Sequence, residues 1–397
     1  MMRACEVLFW LLLLAGLPAE LNAQCGLSVG IPRLAGTTIT LSAYTGLDLV
    51  AVDSIKLGNQ GDGQYDAVLP VGMYVLDGAG LSLEFLSEGK PLALMVDDLE
   101  DRYAVRFVDS PENTRWTAYL AIRERYGYGK RDPETFRKLT DSLMDGASDY
   151  ASALIQVDRD PTWHESDFMD SRFFPTNVLT TKMVYYLEQS PGDFVAASDR
   201  ILKMAKVNMA AYEFALQYLL KGFTALGLSE VTDHLLNFPQ LAEGEISQEE
   251  GQRLELLTEP YQKVRVGAKA PDILAVSIDG KPYHLYESSA PYVIVFFWAV
   301  DCEYCHDFLT RIRQELDLEK EYELVTFAIA ENEKEVRREL RKLRLKGVHC
   351  YDESRWEGKV FLDYHVMSTP TAFLLDRDKT IIAKPYDWEE LGVRSEE

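Results

Sequence analysis

The stretch Val293-Ile294-Val295-Phe296-Phe297-Trp298-Ala299-Val300-Asp301-Cys302-Glu303-Tyr304-Cys305 decides how the chain reads. Its apolar, β-branched and aromatic run has strand length and lacks polar alternation, the pattern of a strand buried on both faces. The run stops at a Cys-x-x-Cys pair, and beyond it Phe308, Leu309, Ile312, Leu316 and Leu318 fall on or near one helical face. A buried strand thus delivers two thiols to the first turn of a helix. The partial positive charge and unpaired N–H groups of a helix N-terminus favour a thiolate on Cys302. Cys305, one turn on, is placed to attack a mixed disulfide formed by Cys302. The arrangement predicts thiol–disulfide exchange.

Working outward, 397 residues suit two or three domains, each able to bury a core. A net charge of −23 argues against nucleic acid or an anionic membrane surface as partner, since electrostatics would oppose both. Its bland reading is a solvated acidic surface. At the start, Met1-Met2-Arg3 precedes the apolar run Val7 to Leu17, which is too short to span a bilayer and has signal-peptide length. Cleavage after Ala23 predicts export to the periplasm or cell envelope; a lipid anchor at Cys25 is disfavoured because Gln24 precedes it. Export removes Cys5 and leaves four cysteines, too few for a disulfide framework in a chain this long. Cys302 and Cys305 form the candidate reactive pair. Cys25 and Cys350 read as unreactive thiols, with a bridge between them the alternative.

From 24 to 109 short alternating segments (37–43, 49–57, 65–69, 73–76, 81–86, 92–96 and 103–108) are separated by turn residues such as Gly61-Asp62-Gly63 and Asp77-Gly78. They predict a small β-sandwich. At Ser110-Pro111-Glu112 the period turns helical, and 110–262 reads as an all-α domain with segments at 116–126, 136–155, 177–187, 194–207 and 209–226. Its aromatic stripes read as core and its His164 and His234 as non-ligands. An acidic, Gly-containing stretch, 241–251, reads as a surface linker. From 263 to 397 the pattern is α/β: a hairpin around Asp279-Gly280, the strand and helix already quoted, a strand at 323–330, a helix from Asn332 to Gly347, a short strand at 349–351, a helix at 359–365, and a hairpin closing around 376–379.

Residues 266–384 resemble the thioredoxin superfamily and, within it, the TlpA/ResA-like exported oxidoreductases. The pieces that carry the likeness are Gly267-x-x-Ala270-Pro271-Asp272, the hairpin, Phe296-Phe297-Trp298-Ala299, Cys302-x-x-Cys305, and Thr369-Pro370-Thr371 before a strand. The upstream regions resemble, more loosely, modules found before such domains in Bacteroidota-type bacteria. The resemblance implies a thioredoxin fold, Cys302 as nucleophile, Cys305 as resolving thiol, and Pro370 as the family's cis-proline. Thr369 before it would offer backbone groups to an extended substrate. It also implies no cofactor beyond a redox-active disulfide, disulfide-bearing protein clients, and a membrane electron donor of DsbD type. Two departures stand out. Phe296 and Phe308 occupy positions where many relatives keep a buried carboxylate, and Asp301 stands where a Trp often precedes the first Cys. Proton transfer to Cys305 is then left to Glu303, Asp307 or water. Glu303 matches the acidic Cys-Glu-x-Cys of ResA-like reductases, and a carboxylate beside thiolates disfavours a strongly oxidising poise.

Three competing readings use the same residues. Cys302-x-x-Cys305-His306 is also the c-type haem attachment pattern, with His306 axial and Met367 or His365 distal. A zinc site from Cys302, Cys305, His349 and Cys350 is disfavoured because adjacent strand residues point to opposite faces. A redox-inactive binding or scaffold protein is opposed by the presence of both cysteines and Pro370. Outside those roles His306 and His365 read as solvent-edge residues.

Overall fold

The computed structural model describes residues 26–393 apart from Leu47, 128–129, Pro161, Pro191, 238–246 and Glu319. The expected signal peptide and Cys25 lie outside the described residues. By contact the chain groups into two compact units: one runs to Asp193 and takes in Arg200–Phe214, the other comprises Phe194–Asp199 and everything from Ala215. The second therefore includes the later part of the stretch expected as a helical domain.

In the first unit eight strands come first: β1 (Leu27–Gly30), β2 (Thr38–Tyr44), β3 (Leu49–Lys56), β4 (Asp62–Tyr65), β5 (Gly72–Gly78), β6 (Leu81–Ser87), β7 (Leu92–Val96) and β8 (Val105–Val108). They form two four-stranded sheets, β4-β1-β7-β8 and β3-β2-β5-β6. Residues of both sheets, among them Leu27, Val29 and Leu94 with Ile39, Leu76 and Phe85, share one buried cluster. The strand expected at 65–69 is corrected to Asp62–Tyr65. Gly63 belongs to the sheet, not to a turn: it pairs with Val29, and a Cβ there would come within 2.7 Å of the Ile55 and Leu57 side chains, so the place suits glycine. β1 is a short strand that no hairpin signal marks, because its partners, β7 in parallel and β4 in antiparallel, are not its neighbours along the chain.

Helices follow: α1 (Pro111–Tyr126), α2 (Pro133–Met144), α3 (Tyr150–Asp158), α4 (Val178–Glu188), α5 (Phe194–Ala205), α6 (Met209–Ala225), α7 (Ser229–Asn237) and α8 (Gln248–Gln262). Ser110 and Asp132 cap α1 and α2 with Pro at the next position, as the sequence predicts. The single helical segment expected at 136–155 breaks in two, with Gly146 at φ +69° and Asp149 capping α3. The expected linker is also corrected at its end: Ser247 and Glu250 form a reciprocal capping box that starts α8.

The second unit continues with β9 (Leu274–Val276) and β10 (Pro282–His284), then β11 (Tyr292–Ala299), α9 (Glu303–Glu315), β12 (Tyr322–Ile329), α10 (Glu333–Leu343), β13 (Val348–Tyr351), α11 (Lys359–Asp363), β14 (Thr371–Leu375), β15 (Ile381–Ala383) and α12 (Trp388–Val393). The last five strands make one sheet in the order β13-β12-β11-β14-β15. β11 is its centre, parallel to β12 and antiparallel to β14. That position explains its composition. Ile294, Phe296 and Trp298 enter a core on one face with Phe308, Leu309 and Ile312, while Val293, Val295 and Phe297 enter a second core with Phe361, Tyr364 and Phe373. A strand covered on both sides has no use for polar alternation. α10 ends four residues before Gly347, at Leu343, where Arg344 takes the left-handed cap conformation (φ 52°).

Candidate active site

The end of β11 and the start of α9 build the site. After Ala299 the chain turns, Cys302 N–H donating to the Ala299 carbonyl at 3.1 Å, and Cys302 takes extended backbone angles as the N-cap of α9. Its sulfur accepts a hydrogen bond from the Cys305 backbone N–H at 3.1 Å, the role an oxygen usually plays in a cap. An anionic sulfur would gain more from the same donor and from the helix end. The two cysteines form a disulfide with Cα atoms 5.2 Å apart. They are not equivalent: Cys302 is partly exposed, whereas Cys305 is 0% exposed, at the start of the buried stripe Cys305, Phe308, Leu309, Ile312. Leu316 then adopts extended angles and ends the helix.

The Thr369–Pro370 peptide bond is cis. The register of β14 on β11 pairs Thr371 with Phe297, which sets Thr369 and Pro370 beside the end of β11 from which the cysteine turn issues. Thr371 Oγ1 donates to the Ser368 carbonyl at 2.7 Å and closes the turn. A cleft of about 790 Å³ opens there, lined by Thr369 and Pro370, by Tyr304, Asp307 and Arg311 of α9, and by residues 225–227 and 386–389. These last two segments were not among the residues singled out from the sequence. No local pattern marks them, because they lie far from the cysteines along the chain.

Glu303 sits exposed in the first turn of α9, next to Cys302. Asp301 and Asp307 are exposed as well. Beneath the disulfide, Phe296 and Phe308 are buried and pack edge to face with centroids 5.1 Å apart, so the place of a buried carboxylate is filled by hydrocarbon. The solvent-edge reading of two histidines is corrected. His306 is half-buried with its ring edge-on to Trp298, and His365 is half-buried against Tyr261 at 4.3 Å; the Nε2 of each is enclosed.

This geometry does not fit the haem pattern. His365 and Met367 line a cavity of about 40 Å³ that His306 does not share, whereas even modest cofactor pockets are on the order of 300 Å³ or more. The zinc set does not converge either, since Cys350 belongs to the core on the opposite sheet face from Cys305. Burial pushes the Cys350 thiol up to about 12. Among the described residues no group of three or more His, Cys, Asp or Glu could hold a metal ion, and no helix is long and apolar enough to cross a membrane.

A central parallel pair flanked by an antiparallel hairpin, a disulfide at a helix N-terminus and a cis-proline beside it define a thioredoxin-like domain at the C-terminal end of the chain. Residues 266–384 match the AhpC/TSA family. The region is similar to the thiol-disulfide oxidoreductase ResA of Bacillus thuringiensis subsp. konkukian, at 24% identity over 123 residues that make up 30% of this chain and 69% of that protein. It is similar to a ResA of Bacillus cereus at 25% over 125 residues, 31% of this chain and 70% of that one. Among solved structures, a thioredoxin-like protein from Bacteroides caccae aligns over 64% of this chain and 94% of its own, with 19% identity and a TM-score of 0.40. The C-terminal region is thus thioredoxin-like and similar in sequence to the thiol-disulfide oxidoreductase ResA.

Proposed function

We propose that the protein is an exported thiol–disulfide oxidoreductase of the cell envelope that reduces protein disulfides with the Cys302/Cys305 dithiol. The observation that carries this reading is the unequal exposure of two bonded cysteines at one helix N-terminus, Cys302 partly open and Cys305 closed. In the reduced protein the Cys302 thiolate attacks a sulfur of the client disulfide. A bond forms between Cys302 and the client, the client S–S bond breaks, and one client thiolate leaves and takes a proton. Cys305 then loses its proton and attacks the Cys302 sulfur, forming the internal disulfide and releasing the second client thiol. Two electrons pass from enzyme to client. With Phe296 and Phe308 packed where a buried carboxylate would stand, the Cys305 proton goes to water or to an exposed carboxylate such as Glu303 or Asp307. Thr369, preceding Pro370, offers backbone groups to an extended client segment. A dithiol donor, of the membrane DsbD type implied by the resemblance, restores the reduced state.

The test is covalent trapping. Cys305→Ser accumulates mixed disulfides with envelope proteins on a non-reducing gel, and Cys302→Ser does not. Equal trapping by both variants breaks the assignment of roles.

A further inference from the structure

We infer that the client cleft is completed by segments outside the thioredoxin-like match, and that it selects basic client segments carrying an apolar residue near the target cysteine. This deepens the oxidoreductase reading and rests on it. Residues 225–227, at the end of α6, and 386–389 lie outside 266–384, yet both line the cleft that also holds Tyr304, Thr369 and Pro370. They are fastened to the site. Ser368 Oγ, in the cis-proline turn, donates to the Ala225 carbonyl at 2.8 Å. Gly227 has φ +71°, and a Cβ there would lie 2.6 Å from the Cβ of Tyr386, so the helix end and the C-terminal segment meet closely only because residue 227 is glycine.

The resulting wall has a defined chemistry. Leu226 (66% exposed), Tyr304 (81%) and Tyr386 (46%) present apolar surface in the cleft that also holds the cis-proline, more than an isolated exposed side chain would. Asp307, Asp387 and Glu389 also line the cleft, against one basic lining residue, Arg311, whose guanidinium lies 3.7 Å from Glu315. Asp387 Oδ1 accepts the Glu390 backbone N–H at 3.0 Å, which holds that carboxylate at the cleft rim. A client with lysine or arginine beside its cysteine gains from this field, and an acidic one is repelled.

The experiment uses the full chain, reduced by dithiothreitol, with self-quenched cystine peptides whose cysteines are flanked by Leu-Lys or by Leu-Glu. Two exposed charge contacts predict a kcat/KM ratio of about fivefold in favour of the lysine peptide at low salt. The ratio falls to about one in high salt and by more than half in the Asp387→Asn/Glu389→Gln variant, which leaves Asp307 in place and keeps an acceptor for the Glu390 N–H. Leu226→Ser raises KM for the lysine peptide and leaves kcat unchanged. Equal rates for the two peptides, or a ratio that survives neutralisation, overturn the inference. Insulin reduction by the same preparation separates the two levels. If insulin is reduced but the peptides are not distinguished, only the selectivity fails. If neither is reduced, the oxidoreductase reading fails and this inference with it.

Discussion

Replacing Phe308 tests whether the packing beneath the disulfide holds the site. Its ring is 4% exposed and meets Phe296 edge-on at 5.1 Å. Phe→Ala in such a place costs about 3–5 kcal/mol, of which the aromatic pair supplies about 0.5–1.5. Phe308 also lines the cleft at one end, so water can fill part of the space left behind, which places the expected loss at about 3 kcal/mol. A unit of this size shifts by about 2–4 °C per kcal/mol, giving a fall in melting temperature of about 6–12 °C for the second unit. Phe308→Leu, which keeps most of the volume, costs about 1 kcal/mol. The functional consequence is at Cys305. In the reduced Ala variant the floor under that thiol is loosened, so Cys305 alkylates faster with iodoacetamide while Cys302 does not change. Calorimetry and mass-resolved alkylation read both effects. A drop below about 3 °C for Phe308→Ala, or a larger drop for Leu than for Ala, refutes the claim that this contact seats the helix.

The remaining predictions concern charge and the spare thiol. Glu112, in the first turn of α1, has its carboxyl pushed up to about 7 by burial and then by the hydrogen bond and charge of Glu88. An acid held above its unfolded value loses stability as pH rises from about 4.5 through 7, because the unfolded chain ionises first. The group is only partly buried, so solvent screening cuts the effect to about 1 kcal/mol. Glu112→Gln should therefore stabilise the protein by about that much at pH 8 and by nothing measurable at pH 4, read by urea unfolding; an equal effect at both pH values refutes it. Cys350, 3% exposed and pushed up to about 12, should resist iodoacetamide in the native protein and react once guanidinium unfolds it. Native labelling at a rate near that of reduced Cys302 would contradict its burial.

Much of this was legible along the chain because it is local. The unbroken apolar run 293–299 could only be a strand covered on both faces, and Ser110-Pro111 and Asp132-Pro133 mark helix starts through bonds made within a few residues. Where the structure departs from the local pattern, a tertiary contact outweighs it. Gly63 has the local look of a turn and joins a sheet because Val29 of β1 pairs with it. His306 and His365 read as exposed because local spacing does not show which side chains fold back onto them, Trp298 on the first and Tyr261 on the second.

The amino-acid sequence alone determined the chemistry: two thiols at a helix start after a buried strand, and Thr369-Pro370 before another. It could do so because capping and strand patterning act over a few residues. Tertiary structure alone decided the setting of that chemistry. It made one cysteine open and the other closed, put Phe296 against Phe308 beneath them, and brought residues 225–227 and 386–389 to the same cleft. Those facts depend on how elements pack against one another, in the cleft across scores of residues, which no spacing within the chain encodes.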